Sequence, residues 1–292
     1  KILYPTAFEE FSRDVLRCLT NFKSLGTEEI VLLHVIYASQ LPQVHEGYVL
    51  RLADALRHIL NAKMDEAAGI VEGAGIKVKK RIELGVPHRE ILRVAQEEKA
   101  SLIAAGRERK GFLGEIFVGS ITDKIVRHGT TPVYIPKYPG IYGADPKACE
   151  AFCRNPFRRI LYPTDWSDCA RRALDYVKQF RNAGVEEVIV AHVMDEKAMR
   201  LQPEEKFNEF QRIDKEKLAQ VKAELEKEGF RVSTHLSVGN PRAELIGIAK
   251  TQDVSLIVLG SHGKGRAEGI LWGSVSRNVA EYSNRPTLVV RG

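Results

Sequence analysis

Leu256-Ile-Val-Leu-Gly-Ser-His-Gly-Lys-Gly-Arg-Ala-Glu-Gly-Ile-Leu-Trp-Gly-Ser274 is the stretch around which the rest of the chain can be read. Ser255 to Leu259 is an apolar run short enough for a buried parallel strand, and Val275 to Tyr282 carries a helical pattern. Between them lies a glycine-rich loop. Strand, glycine loop and helix N-terminus in that order make a place for phosphate. Glycine lets the backbone approach an anion, and the N–H groups of a first helical turn favour negative charge.

The same pattern occurs twice. Lys1-Ile-Leu-Tyr-Pro-Thr6 returns as Arg159-Ile-Leu-Tyr-Pro-Thr164, and His34-Val35 returns as His192-Val193, both at an offset of 158. Gly75 matches Gly229, Gly85-Val-Pro87 with Glu90 matches Gly239-Asn-Pro241 with Glu244, and Gly119-Ser120 matches Gly273-Ser274, all at an offset of 154. Ordered matches with one four-residue adjustment describe duplication of a unit of about 135 residues. The expected organisation is a first domain over 1–137, a linker over 138–157 rich in Pro and Gly, and a second domain over 158–292.

Within the second copy, strands are expected at Ile160–Thr164, Glu187–Val193, Val232–Val238, Ser255–Leu259 and Thr287–Val290. Ser167 is placed to cap a helix carrying Ala173, Leu174, Val177 and Phe180. Pro203 opens a long helix with Phe207, Phe210, Ile213, Leu218, Val221 and Leu225 on one side, and Pro241 opens another. The first copy repeats the order, with strands near Lys1–Thr6, Glu29–Val35, Val78–Leu84, Leu102–Gly106 and Pro132–Ile135. Strict alternation of strand and helix implies an α/β fold: two tandem doubly wound domains, each a five-stranded parallel sheet with helices on both faces. In such a sheet a ligand binds where the strand order reverses, so the end of strand one should meet the loop after strand four.

At that crevice the sequence becomes specific. Gly260-x2-Gly263-x9-Gly273-Ser274 resembles the ATP-binding signature of the universal stress protein family, G-x2-G-x9-G-(S/T). Tyr162-Pro163-Thr164-Asp165-x-Ser167 resembles that family's strand-one ending, and the resemblance covers both copies apart from the linker. It implies an adenine nucleotide, ATP or AMP, with Mg²⁺ accompanying ATP. The base would lie beside Asp165 and Val193, and the phosphates on Gly263, Gly273, Ser274 and the amides from Val275 onward. The residue chemistry agrees: Asp165 accepts a donor from base or ribose, Val193, a core residue with or without a ligand, offers an apolar wall, and Gly260 and Gly263 permit unusual torsions. His262, Lys264 and Arg266 lie inside the loop with charge to offer phosphate or water, and Trp272 reads as a packing residue. Asp165 also has a plain structural reading, as a supporter of the cap at Ser167.

The first copy departs from the pattern. Ala7 stands where the second copy has Asp165, and Arg109 stands where it has Gly263, as an obstacle to close backbone approach or, alternatively, a direct partner for phosphate; Val35, Gly106, Arg109, Gly119 and Ser120 are the weaker candidates. A competent second site and a degenerate first one are expected. Family resemblance further implies pairing of the two fifth strands within the chain, and leaves a homodimer open.

Other classes are disfavoured. Gly106-x4-Gly111 is followed by Phe112, so no Walker A loop is present, and no G-x-G-x-x-G follows either first strand. No nucleophile, base and orienting group stand together, so no catalytic residue is assigned. His34 and His192 read as satisfied residues at strand ends. A nucleotide-dependent regulatory protein is the favoured reading, with slow ATP hydrolysis and a nucleotide-free interaction scaffold as alternatives. The net charge of +6 on 292 residues is spread among acids, as in Asp214-Lys-Glu-Lys217, which argues against nucleic acid. Cys18, Cys149, Cys153 and Cys169 form neither a disulfide framework nor a zinc signature, and no metal site is assigned; buried or idle thiols are expected, with a redox or metal role for Cys149 and Cys153 as the alternative. No apolar run approaches the roughly 18 residues of a membrane span and no leader pattern stands before the first strand, so the cytoplasm is the expected location. Lys1 already lies in an apolar run, so the natural chain is expected to begin a few residues earlier.

Overall fold

The structure, a computed structural model, describes residues 1–8, 12–37, 46–110, 115–137, 155–264 and 272–292. By contacts the chain divides into two units, Lys1–Arg107 with Gly119–Tyr134, and Glu108–Val118 with Ile135–Gly292. Each contains a five-stranded sheet in which every recorded pairing is parallel.

In the first copy the strands are β1 (Ile2–Pro5), β2 (Glu29–Tyr37), β3 (Lys77–Gly85), β4 (Leu102–Ala104) and β7 (Val133–Ile135), in the order β7-β4-β1-β2-β3. The helices are α1 (Ser12–Leu19), α2 (Glu46–Gly73), α3 (Pro87–Glu97) and α4 (Ser120–His128). Ile2, Leu3 and Ile30 to Leu33 are buried on both faces, which is why these strands read as continuous apolar runs. After α2, Gly75 turns the chain at φ +72°, and its repeat partner Gly229 does so at φ +90°, a left-handed conformation that favours glycine. The glycine loop expected after β4 is different here. Arg107–Lys110 (β5) and Glu115–Val118 (β6) form a separate two-stranded sheet.

The second copy carries β8 (Arg159–Pro163), β9 (Glu187–Asp195), β10 (Val232–Gly239), β11 (Leu256–Gly260) and β12 (Thr287–Val290), in the order β10-β9-β8-β11-β12. Its helices are α5 (Asp168–Gln179), the short α6 (Glu196–Met199), α7 (Glu204–Lys227), α8 (Pro241–Thr251) and α9 (Ser274–Tyr282). Ser167 caps α5 by accepting from the Ala170 amide, as its position implied. Tyr162 donates to the Ala170 carbonyl at 2.8 Å, tying β8 to the same helix; burial pushes its phenol up to about 12. Strand two was expected to end at Val193 but continues to Asp195, whose carboxylate accepts from the Lys197 amide and starts α6. The long helix α7 begins at Glu204, with Pro203 in the capping position. Its expected apolar stripe is only partly covered: Leu218 and Leu225 are buried, whereas Phe210 is 37% exposed.

The two outer strands β3 and β10 protect their edges differently. On β3, Lys79 and Arg81 converge on Glu98, whose side chain is only 6% exposed, with Lys1 completing the set. Arg81 continues to Glu83 and Glu97, and Arg93 joins Glu83, Glu90 and Glu97. The corresponding positions around β10 are Ser233, His235, Gln252, Ser237, Thr251 and Gly247, which cannot build the network. A second contrast lies between the helices that follow. His88 on α3 faces His128 on α4 with ring centroids 6.5 Å apart, whereas the matching Arg242 lies 4.1 Å over the Tyr282 ring.

Both contrasts give the first unit a dependence on charge. Hydrogen bonds from Lys79, opposed by burial and aided by Arg81, hold the Glu98 carboxyl below the usual carboxylate range. Glu98→Gln is expected to cost the first unit about 1–2 kcal/mol, a figure discounted for the exposure of its partners. Urea unfolding at low and high salt measures this, and equal stability of variant and wild type would refute it. Burial, then Lys124, Arg89 and His128, holds the His88 imidazole below its ordinary range. The native state therefore favours neutral His88, so this contribution is full above about pH 6.5 and is lost as pH falls through the folded value. Amide exchange resolved by unit should show the first unit losing protection between pH 7.5 and 5.5, with the loss reduced in His88→Arg.

Candidate functional site

The crevice forms where β8 separates β9 from β11. Ile160 pairs with both Val188 and Leu256, and beyond Pro163 the chain leaves the sheet between its two neighbours. Thr164 is buried; its amide donates to the Ala191 carbonyl at 2.9 Å and its hydroxyl accepts from the Trp166 amide at 3.1 Å. This tight turn puts Trp166 at φ +66°, and Phe8 in the first copy takes φ +57° with the same bond to Thr6. Asp165 lies between these anchors, half-buried. Its Oδ1 accepts from the Ser167 amide at 3.1 Å and hydroxyl at 2.6 Å, and its Oδ2 accepts from the Lys264 amide at 2.8 Å.

The glycine loop approaches from the other side. A Cβ on Gly260 would sit 2.9 Å from the Cys169 backbone carbon and sulfur, so only glycine lets β11 pass α5 this closely. At the far end, the Gly273 amide donates to the Ser261 carbonyl at 2.8 Å, bringing Gly273 and Ser274 back against the strand end. Gly273 is the N-cap of α9 and, having no side chain, makes no cap hydrogen bond to it. The first-turn N–H groups have no intrahelical acceptors, and Ser274 and Val275 are exposed there. Ser276 turns inward and donates to the Gly260 carbonyl at 2.7 Å; Thr122 does the same to Gly106 at 2.7 Å. A cavity of about 370 Å³ beside this loop is lined by Trp166, Ser167, Cys169, His262 and Gly263, with Arg172 and Lys264 as its cations and Asp168 as its acid.

Behind Trp166 is a polar cluster. Trp166 Nε1 donates to Asp214 Oδ1 at 2.8 Å, and its ring lies 4.9 Å from His192. The His192 Nδ1 bonds the Thr164 carbonyl at 2.7 Å and its Nε2 lies 3.2 Å from Asp214 Oδ2. Lys217 stands 5.6 Å over the Trp166 ring. The first copy keeps the outline: His34 bonds the Thr6 carbonyl at 2.8 Å, stacks 5.0 Å from Phe8, and Lys63 lies over Phe8. It lacks the acid, since Leu60 occupies the place of Asp214. Burial, opposed by the Thr6 bond, holds the His34 imidazole below its ordinary range.

Of the residues picked from sequence, the structure brings Asp165, Gly260, His262, Gly263, Gly273, Ser274 and Val275 to one end of the sheet, beside Pro163 and Thr164. Val193 lies on β9 two residues beyond Ala191, the partner of Pro163. It was expected to be core and is half-buried, as is Val35. His262 Nδ1 lies 3.0 Å from the Ser261 hydroxyl. Trp272 packs as expected, at 3% exposure, although its indole nitrogen has no hydrogen-bond partner among the described residues. Arg266 lies outside the described residues, as do Cys149 and Cys153. Cys18 is disulfide-bonded, contrary to the expectation of idle thiols, and Cys169 is a buried free thiol. In the first copy, Arg109 falls on β5 and Gly119 precedes α4, which starts at Ser120. Among the described residues no group of three or more His, Cys, Asp or Glu is placed to hold a metal, and no helix is long and apolar enough to cross a membrane. Sequence reasoning missed Ser276 and Thr122, whose signal was the repeated Gly-Ser-x-Ser/Thr spacing, and Asp214, which nothing in its charged helix distinguished.

Comparison with known proteins places these features in one family. The sequence model of the universal stress protein family matches residues 1–137 and again 156–291. Universal stress protein MJ0577 of Methanocaldococcus jannaschii is 38% identical over 154 residues, covering 46% of this chain and 95% of that protein. A universal stress protein of Mycolicibacterium smegmatis is 22% identical over 273 residues, covering 92% of this chain and 89% of its own length. Among solved structures, a universal stress protein from Archaeoglobus fulgidus superposes with a TM-score of 0.73 at 27% identity, covering 99% of this chain and 95% of that one. Matched by the family model over both copies, the chain belongs to the universal stress protein family.

Proposed function

We propose that the second copy binds an adenine nucleotide, ATP or AMP, and that the chain acts as a nucleotide-dependent regulatory protein. One observation carries the reading: the Asp165 carboxylate and the uncapped N-terminus of α9 stand on opposite sides of one glycine loop. A carboxylate suits donors of base or ribose, and a helix N-terminus suits phosphate. Half-buried Val193 supplies an apolar surface for a flat ring, and Lys264 and Arg172 put positive charge beside the loop. Mg²⁺ would travel with the triphosphate. Binding in preference to catalysis is supported by His192, whose two nitrogens are engaged by Thr164 and Asp214. Ligand binding to the folded form would stabilise the second copy by mass action and so couple nucleotide level to the state of the protein.

The first copy is proposed to bind weakly or not at all, because it has Ala7 for the acid and the strands β5 and β6 of a two-stranded sheet where the loop would lie. Mass spectrometry of the purified chain, with calorimetric titration of ATP and AMP, is expected to give one nucleotide per chain. Gly273→Val should weaken binding at least tenfold, because even a Cβ there meets the His262 Cα at 3.2 Å and the Ser261 carbonyl at 3.4 Å. Gly119→Val should leave affinity within about twofold. Two equal sites, or no binding by the wild type, would overturn the proposal.

A further inference from the structure

Three hydrogen bonds converge on Asp165, and they join parts of the chain 99 residues apart. Oδ1 is held by Ser167, at the start of α5, and Oδ2 by the backbone of Lys264, inside the glycine loop. Gly263 shows how tightly the carboxylate is seated. A Cβ built there would lie 2.1 Å from Asp165 Oδ2, with the next contact, to Cγ, at 3.1 Å. The obstacle is the end of a side chain, so any residue larger than glycine would evict the carboxylate while leaving the fold intact. The internal repeat offers the complementary case. Where the acid is absent, at Ala7, the glycine is absent too, and Arg109 takes its place.

From these observations we infer that Asp165 is a positioning residue: its carboxylate ties the glycine loop to the end of β8, and Gly263 is glycine to leave that carboxylate room. The inference deepens the nucleotide reading of the same site and rests on it only for its binding arm. A carboxylate presents about four acceptor positions. Among the described residues three are used, two on Oδ1 and one on Oδ2, leaving one on Oδ2 for an incoming donor. Asp165 thus holds the loop in its receiving shape before a ligand arrives and still has a position for that ligand. Asp165 and Gly263 would then be one interaction seen from two sides, lost together or kept together.

A double-mutant cycle tests this. The chain is prepared as wild type, Asp165→Ala, Gly263→Ala and the double variant, and amide exchange is followed at Lys264. Loss of a charge-assisted acceptor should speed exchange there by about 10- to 100-fold in each single variant, with no further gain in the double. The melting temperature of the second unit should barely move, as the first copy folds with Ala7. If Asp165 served only to support the cap of α5, the melting temperature would fall and Lys264 exchange would stay at the wild-type rate. In the second arm, ATP affinity should drop about tenfold in each single variant and no more in the double. Unchanged Lys264 exchange in Asp165→Ala, or losses that multiply to about a hundredfold, would overturn the inference. If the wild type binds no ATP, the nucleotide reading falls, and the exchange cycle still decides whether the carboxylate holds the loop.

Discussion

The site depends on one constraint of the sheet: β8 lies between β9 and β11, so the chain must leave β8 at the point where strand order reverses. Helices cannot cover that point, because each crossover carries them to one side or the other. The turn that leaves β8 is therefore exposed to whatever follows β11. Gly260 lets β11 run within contact distance of Cys169, and this closeness brings the loop within a hydrogen bond of Asp165. Widening that passage by a single Cβ would separate the acid from the loop while leaving both strands paired.

Because the chain contains the same unit twice, it separates what the fold requires from what the site requires. Kept in both copies are the histidine bonded to the threonine carbonyl, the aromatic residue at positive φ beside it, and the hydroxyl that ties the last helix to the strand end. The Glu90 and Glu244 side chains, packed against Gly85 and Gly239, belong with them. These contacts satisfy buried polar groups or fill space at the strand ends, so losing one would leave a partner unpaired. The differences fall elsewhere: Ala7 for Asp165, Arg109 for Gly263, Leu60 for Asp214. None of these three positions carries a bond that the sheet needs.

Periodicity made the architecture legible, since buried parallel strands must be continuously apolar and their crossovers must be amphipathic. The turn glycines and the repeat made strand order legible as well. Local features were lost where sequence carries no phase. Arg107-Glu-Arg-Lys110 is a charged run with no apolar face, so nothing marked it as a strand of a two-stranded sheet. Asp214 sits in a helix of alternating charges, and only the three-dimensional approach of α7 selects it as the partner of Trp166 and His192. Val193 read as core because it is apolar at the end of an apolar strand. Val193 is half-buried whereas Met194 beside it is 3% exposed, so the alternation of faces along the strand end separates the two.

The proposed asymmetry of the two copies would cost the fold little. Asp165 contributes one bond to the loop and two to Ser167, and in an alanine variant the donors released in this half-buried crevice would turn to water. Arg at the glycine position would then meet no carboxylate. Meanwhile the first copy has gained ion pairs along β3 that the second lacks, centred on Glu98 and Arg81. Under the proposed reading, a copy that binds no ligand is free to keep such pairs, whereas the second copy carries a half-buried carboxylate beside the cavity. On that reading, stability and binding pull on different residues of one duplicated unit.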